Sequence, residues 1–430
     1  MVCFLLALPH FALPFLGTYR PPAASLYLLV WAGLACLAPA GVRIRARDDT
    51  GLRWKLLVFL SYGLLSAIFG YWELAEANRL TLHLTAGNVS YLDVAAQRLF
   101  QLGLAILAFE VVRLTRVQPV ELMRWWLIGM AIAVGLHVLI FLGSSDPLQQ
   151  RAGIFTEGNL GGLYYLLSVF VAREYGRRGH RRAGLATAWL AVGGILMAGS
   201  SAAILLLALT LGLVHVISAP SAGARLRRSL VTVGAVASIG AVMYGTGSDF
   251  GIAEKLFEEE VTSQSFSRID RLASIGTAIE LFLQSPWVGN GLQTYGFLAN
   301  EYLDGPLLAI YDDGFRRIPN NIYAELAAEM GIVGLLLFGA FLLALMRRIA
   351  LSPQDGGRNL LGGVIAVLGY WLAFPTYSVV FVWAFFGLAM ATVRGGRTHA
   401  IQRSVRPARR VGPPRVPPPA LPIAARRTDS

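Results

Sequence analysis

The sequence predicts an all-α protein, a polytopic transmembrane helical bundle of about twelve spans with one large, partly helical periplasmic loop. Hydrophobic residues make up 55% of the 430-residue chain and charged residues only 14%, whereas about a quarter of the residues in soluble domains are charged. Apolar stretches long enough to cross a bilayer recur along the chain, and basic residues cluster between them. Together, these observations exclude a soluble globular domain.

Each apolar stretch is predicted to form one membrane-spanning helix, because the bilayer core needs about 20 apolar helical residues per span. The predicted spans are 3–18, 23–42, 56–72, 94–112, 125–142, 156–172, 184–199, 202–218, 229–245, 324–346, 359–375 and 379–393.

Basic residues orient this predicted bundle. The formal net charge is +12, and most of the 37 Lys and Arg residues fall in six clusters between the spans. Cationic loops of polytopic proteins stay in the cytoplasm. The clusters therefore predict a bacterial inner-membrane protein with both termini in the cytoplasm. The same placement accounts for the positive charge without nucleic acid as a partner.

Four regions follow from this topology. Residues 1–245 are predicted to form an N-terminal transmembrane bundle, 246–323 the large periplasmic loop, 324–393 the C-terminal transmembrane helices and 394–430 a disordered basic tail. Within the loop, Ser267 to Asp270 has the pattern of a capping box, and Ser285-Pro286 has that of a helix stop. This pattern predicts an amphipathic helix between the two signals.

Candidate functional groups lie near the predicted outer membrane boundary. The sequence shows no phosphate-binding glycine loop and no cluster of metal ligands, so no cofactor is expected. Ionisable residues at a membrane boundary are costly and are functional candidates for that reason. Arg151 is the first, with a snorkelling interfacial arginine as the alternative interpretation. Arg268 and Arg271, at the start of the amphipathic helix, are the second, with contacts to lipid phosphates as the alternative.

A third group lies at the entry to span 324–346 and comprises Arg316, Arg317, Asn320 and Asn321. From Asn321 onward, polar residues recur every four positions at Glu325 and Glu329, so the three side chains share one helical face. Paired arginines, a helix N-terminus and a polar face thus converge at one depth. A polar face turned only toward water is the alternative interpretation.

Anion recognition is the chemistry these groups share. Guanidinium groups bind phosphate oxygens in pairs, keep their charge at any relevant pH and can neutralise a departing diphosphate. A lipid diphosphate is therefore the predicted substrate class. Proton-coupled transport is disfavoured, because no span shows a relay of acidic residues and histidines or the paired broken helices of transporters.

Several short blocks occur in an order and spacing typical of one family. Asn320-Asn321 is followed, after nine residues, by Gly331-Ile-Val-Gly334. Upstream, Arg271 precedes a helix and then Ser-Pro286-Trp-Val-Gly289-Asn-Gly291. Earlier still, Arg151 precedes Gly-Ile-Phe and Asn159-Leu-Gly, and Ala198-Gly-Ser-Ser-Ala202 lies between two predicted spans.

These blocks resemble the O-antigen ligase and O-antigen polymerase superfamily, and the resemblance covers most of the chain. The superfamily has a His at the position of Asn320, and it has an arginine in the short turn where this chain has Ala198 to Ala202. Close helix packing alone is the alternative explanation for Gly331 and Gly334.

The resemblance implies a metal-independent, inverting membrane glycosyltransferase that moves a glycan from undecaprenyl diphosphate onto a hydroxyl group. It implies diphosphate contacts for Arg151 and Arg271 and a role in acceptor positioning for Asn320. Five further residues are substrate-binding candidates: Arg268, Arg316, Arg317, Asn321 and Glu325. The expected partners are a polyprenyl-diphosphate-linked glycan donor, a glycan or lipid acceptor, membrane lipid and polysaccharide assembly proteins.

Asn320 in place of histidine removes the group best suited to proton transfer, since an amide can orient a hydroxyl but cannot accept its proton. Glu325 or the diphosphate oxygens are the candidate acceptors. This departure favours an exopolysaccharide or O-antigen polymerase over a ligase. A lipid-linked oligosaccharide flippase, which would need cations at several depths, and an inactive scaffold of an envelope assembly complex are the alternatives.

Overall fold

A computed structural model shows a bundle of α-helices that run back and forth between two ends. The structure describes residues 50–84, 87–115, 117–155, 157–245, 263–302, 317–352 and 357–405. The described residues form thirteen α-helices and one two-stranded sheet. The all-α prediction is confirmed, while predicted spans 3–18 and 23–42 lie outside the described residues.

The helices are α1 Thr50–Glu76, α2 Tyr91–Leu114, α3 Pro119–Gly143, α4 Pro147–Ala152, α5 Gly158–Arg177, α6 Arg181–Met197, α7 Ser201–Ile217, α8 Ala222–Gly245, α9 Ser263–Gln284, α10 Tyr295–Leu298, α11 Ile322–Ala350, α12 Gly357–Tyr370 and α13 Val380–Val405. An antiparallel hairpin of β1 Thr81–Leu84 and β2 Gly87–Ser90 joins α1 to α2. Ten of the predicted spans each overlap one helix, although span 359–375 extends five residues beyond the end of α12 at Tyr370.

Within the part of the chain that the structure describes, four helices are long and apolar enough to cross a membrane: Gly51–Glu76, Tyr91–Leu114, Pro119–Gly143 and Ile322–Ala350. Their outward faces are apolar as well as their buried faces. For example, Leu65 of α1 and Leu139 of α3 are 63% and 66% exposed. An apolar exterior around an apolar core is typical of helices that contact lipid. The chain is therefore a multi-pass membrane protein, and membrane crossing by the shorter helices stays a prediction.

Aromatic side chains hold the centre of the bundle together. α13 packs against α2, and α1 packs against α11. The Trp383 ring of α13 stacks on Phe341 of α11 with ring centroids 5.4 Å apart, and Phe109 of α2 contacts both rings edge to face. These buried rings fix the relative positions of α2, α11 and α13, which carry the polar groups described below.

One end of the bundle gathers the sequence blocks singled out above, and we call it the motif end. α1, α3, α6 and α12 end there, and α2, α5, α7, α11 and α13 begin there. Hydrogen bonds that join different helices near this end support the grouping. The Tyr91 hydroxyl of α2 donates to the Ala67 carbonyl of α1, and the Ile322 amide of α11 donates to the Trp371 carbonyl after α12.

One predicted helix start is wrong. Helix α9 includes residues from Ser263 onward, so the predicted capping box at Ser267 lies inside the helix, although the helix ends at Gln284 as predicted. A capping pattern is a local signal, and a helix that is already formed can extend through it. Helix α13 continues to Val405, beyond the end of predicted span 379–393, and a disordered tail after it stays a prediction. The tail has no proline before Pro407 to stop that extension. Residues 406–430 lie outside the described residues.

Candidate active site at the motif end

Helix α4 is a short, firmly anchored segment that carries Arg151. Pro147 occupies its first position, and the Asp146 carboxylate accepts a hydrogen bond from the Leu148 amide at 2.9 Å. The buried His137 ring contacts the Gln150 carbonyl at 2.9 Å and the Tyr165 hydroxyl at 3.2 Å. These contacts tie α4 to α3 and α5, so the backbone at Arg151 is held in place.

The Arg151 side chain reaches the turn between α6 and α7, confirming a turn at the predicted place. One guanidinium nitrogen donates to the Gly199 carbonyl at 3.1 Å. Gly199 has a positive φ of 57°, and a Cβ atom there would lie 2.9 Å from the Arg151 Nε. Only glycine leaves room for this contact without strain. Arg151 therefore brings an arginine to a turn that has none of its own.

Beside this turn, three helices meet at a buried hydroxyl pair. The Ser200 Oγ at the start of α7 lies 3.0 Å from the Tyr370 hydroxyl at the end of α12. The Tyr370 hydroxyl donates to the Asn159 carbonyl of α5 at 2.6 Å, and Ser200 donates to the Asn159 side-chain oxygen at 3.2 Å. Because both hydroxyls are buried, these bonds also fix how α5, α7 and α12 pack.

The charges of Arg271 in α9 and of Glu157 both act on the Tyr370 hydroxyl, and both side chains are exposed. Arg151 contacts the turn residue just before Ser200. The charges of Arg151 and Arg271, 120 residues apart in sequence, thus act on one hydroxyl pair. We call this constellation the outer hydroxyl site; it comprises Arg151, Glu157, Asn159, Ser200, Arg271 and Tyr370.

Helix α11 is broken at Gly331, where the backbone has φ 62° and ψ −165°. The break interrupts the intrahelical hydrogen bonds, and the segment 286–291 replaces them. The Ile332 and Val333 amides donate to the carbonyls of Pro286 and Trp287 at 2.9 and 3.2 Å. In the opposite direction, the amides of residues 290 and 291 donate to the carbonyls of residues 328 and 329 at 3.0 and 2.9 Å. Backbone groups in a membrane protein need such partners.

Glycines allow this backbone-to-backbone contact. Added Cβ atoms at Gly289 and Gly331 would overlap the backbone of the opposite segment, and one at Gly291 would overlap Gly70 of α1. All three have positive φ angles. The Gly-x-Gly motif and the first glycine of the α11 motif are separate in sequence, but they therefore pack directly against each other.

The polar residues at the start of α11 have different structural roles. Asn321 caps the helix, since its side-chain oxygen accepts from the amides of Tyr323 and Ala324, and its amide nitrogen donates to the Leu372 carbonyl at 3.1 Å. Arg317 and Asn320 are half-buried just before it. Arg316 and the side chain of Arg268 lie outside the described residues.

Glu325 belongs to a buried ion pair that the sequence interpretation missed. Its carboxylate lies 3.4 Å from the guanidinium of Arg98 in α2, and Gln293 donates to the same oxygen at 3.3 Å. Arg98 also donates to the Ser378 hydroxyl at 2.9 Å and lies over the Tyr377 ring. We call this the buried cluster; it comprises Arg98, Gln293, Glu325, Glu329, Tyr377 and Ser378. An arginine inside predicted span 94–112 was the signal that could have revealed it.

The buried cluster changes the interpretation of the polar face of α11. Glu325 and Glu329 are each only 1% exposed, so this face packs against α2 and the 285–294 segment instead of facing water. Across the residues that the structure describes, no group of three or more His, Cys, Asp or Glu side chains is placed to hold a metal ion.

Comparison with known proteins assigns the segment that carries most of these features. Residues 186–339 match the family model described as O-antigen ligase. This segment is similar to the O-antigen ligase family. It contains the Gly199 turn, Arg271, the Gly-x-Gly block, Asn320 and the first part of α11 with its break at Gly331. Arg151 and Tyr370 lie outside it. No curated protein matches the chain. The family and the apolar helices together indicate a membrane enzyme of the O-antigen ligase and polymerase type.

Proposed function

We propose that this protein is a glycosyltransferase that polymerises glycan repeat units carried on polyprenyl diphosphate, acting at the periplasmic face of the bacterial inner membrane. The observation that carries the proposal is that two exposed arginines serve the Ser200–Tyr370 hydroxyl pair: Arg151 contacts the Gly199 carbonyl next to Ser200, and the charge of Arg271 acts on the Tyr370 hydroxyl. Two exposed guanidinium groups at one membrane-proximal site suit a diphosphate, which carries its charge at the end of an apolar lipid.

The chemistry follows from where charge develops. When the acceptor hydroxyl attacks the sugar carbon bound to the diphosphate, negative charge builds up on the departing diphosphate oxygen. Cations fixed in advance near that oxygen lower the barrier, because they need no rearrangement during the reaction. Arg151 meets this requirement, since α4 and the Gly199 turn hold it. The matched O-antigen ligase segment supports the same substrate class.

A flippase is less well supported by the arginine positions. Arg98 is a cation inside the bundle, as a flippase pathway would need, but it is paired with Glu325 and covered by Tyr377. The inactive-scaffold alternative rests on Asn320 in place of histidine, and it is an outcome of the experiment below.

The experiment is a clean deletion of the gene, followed by gel analysis of surface glycan and extraction of lipid-linked intermediates. We expect long polymer to disappear and single repeat units to accumulate on the polyprenyl carrier outside the membrane. Unattached long polymer would instead indicate a ligase, intermediates held on the cytoplasmic leaflet a flippase, and an unchanged glycan an inactive relative. A plasmid copy of the wild-type gene is the control for each result.

A further inference from the structure

Glu157 is a carboxylate at the outer hydroxyl site with no role in the diphosphate contacts. It precedes the first residue of α5 with an extended backbone, and its side chain makes no capping hydrogen bond. Its backbone carbonyl serves the helix instead, accepting from the amides of Leu160 and Gly161 at 3.1 and 3.3 Å. The side chain is exposed, so the carboxylate remains available to solvent and ligand.

The backbone that carries Glu157 is held tightly. At the next residue, Gly158, an added Cβ would lie 2.6 Å from the Ala198 carbonyl oxygen and 3.2 Å from the Arg151 carbonyl oxygen. The chain at this point is therefore wedged between the end of α4 and the α6–α7 turn. These are the two elements that position Arg151, so Glu157 and Arg151 share one rigid support.

Three other carboxylates at the motif end have structural partners. Asp146 caps α4, Glu301 pairs with Arg79, and Glu325 pairs with Arg98 inside the bundle. Glu157, in contrast, interacts electrostatically with the Tyr370 hydroxyl, as Arg271 does. It thus places an exposed carboxylate next to the backbone of Arg151, where its charge acts on the same hydroxyl as the charge of Arg271.

We propose that Glu157 accepts the proton of the acceptor hydroxyl, an assignment that rests on the proposed function. As the acceptor oxygen bonds to the sugar carbon, its proton passes to a Glu157 carboxylate oxygen. The bond between that carbon and the diphosphate oxygen breaks, and its electron pair leaves with the diphosphate beside Arg151 and Arg271. Protonated Glu157 then releases the proton to water at its exposed side. A carboxylate can perform this transfer, whereas the amide of Asn320 cannot.

The test uses the full-length protein in lipid nanodiscs. The substrate is the polyprenyl-diphosphate-linked repeat unit extracted from the deletion strain, and undecaprenyl diphosphate is the binding probe. We expect Glu157→Gln to lower turnover by about 100-fold or more with unchanged affinity for undecaprenyl diphosphate, and Glu157→Asp to keep intermediate turnover. The matched control is Glu280→Gln, an exposed carboxylate on α9, which is expected to leave turnover at the wild-type level.

Chemical rescue separates proton transfer from a structural role. Added formate should restore part of the turnover of Glu157→Ala, because a small carboxylate can enter the exposed site and take the proton. Near-normal turnover of Glu157→Gln would overturn the proposal, and so would lost undecaprenyl diphosphate binding without formate rescue. If the wild-type protein itself fails to extend the repeat units, the proposed function fails, and the role of Glu157 fails with it.

Discussion

The outer hydroxyl site and the buried cluster both use arginines at the motif end, but they use them in opposite ways. Arg151 and Arg271 are exposed: Arg151 contacts the Gly199 carbonyl, the charge of Arg271 acts on the Tyr370 hydroxyl, and neither forms an ion pair with a carboxylate among the described residues. Arg98 is only 13% exposed and faces the carboxylate of Glu325. A cation committed to a buried carboxylate stabilises the fold, whereas an exposed, positioned cation can bind an anion.

The largest effect on stability is expected when the buried cation is removed. Arg98→Ala should lower the free energy of unfolding by about 3–5 kcal/mol, because it leaves the Glu325 carboxylate buried without its partner. Thermal unfolding of the detergent-solubilised protein measures this. The double variant Arg98→Met with Glu325→Gln should recover much of the loss, since no buried charge from the pair is left. Wild-type stability of Arg98→Ala would show that the pair does not hold the bundle.

The opposite result is expected at the outer hydroxyl site. Arg271→Ala should lower polymer formation by about 100- to 1000-fold, the usual loss when a positioned charge-stabilising group is removed, while membrane insertion and thermal stability stay unchanged. Polymer yield in the complemented deletion strain measures the effect. Arg124→Ala, an exposed arginine at the other end of α3, is the control and should be neutral. Wild-type polymer from Arg271→Ala would refute its role as a diphosphate contact.

A smaller effect is expected where α11 breaks, close to the buried Glu329. Gly331→Ala should cost about 1–3 kcal/mol, because alanine would be strained at positive φ and its Cβ would overlap the Trp287 carbonyl. Gly339→Ala in the same helix is the control, since a Cβ there has no neighbour within 4 Å. Equal thermal stability of both variants would contradict the glycine contact described above.

The smallest effect distinguishes two neighbouring asparagines. Asn321→Ala should lower stability by about 1 kcal/mol, the usual cost of losing a helix N-cap, as measured by thermal unfolding. Asn320→Ala tests chemistry instead, because it occupies the position where the superfamily has histidine. Normal polymer yield from Asn320→Ala would show that this position no longer takes part in the reaction.

Helix positions could be predicted from the sequence because bilayer insertion depends on local hydrophobicity. Ten predicted spans overlap helices, and the spacing from Asn321 to Gly331 located the α11 motif. The break at Gly331 was not predicted. A helix interruption inside an apolar stretch is tolerated only when another segment supplies hydrogen bonds, and that segment, 286–291, is distant in sequence.

The membrane class, the order of the helices and the candidate arginines could all be predicted from the sequence, because each depends on composition or short spacing. Which side chains contact one another is seen only in the tertiary structure. Arg151 contacts a turn 48 residues away, and Arg98 reaches Glu325 across 227 residues. The spacing of residues along one helix says which of them share a face, but it does not say which helix that face will contact. That choice is made when buried polar groups must find partners, and here it left Arg151 and Arg271 exposed while enclosing Arg98.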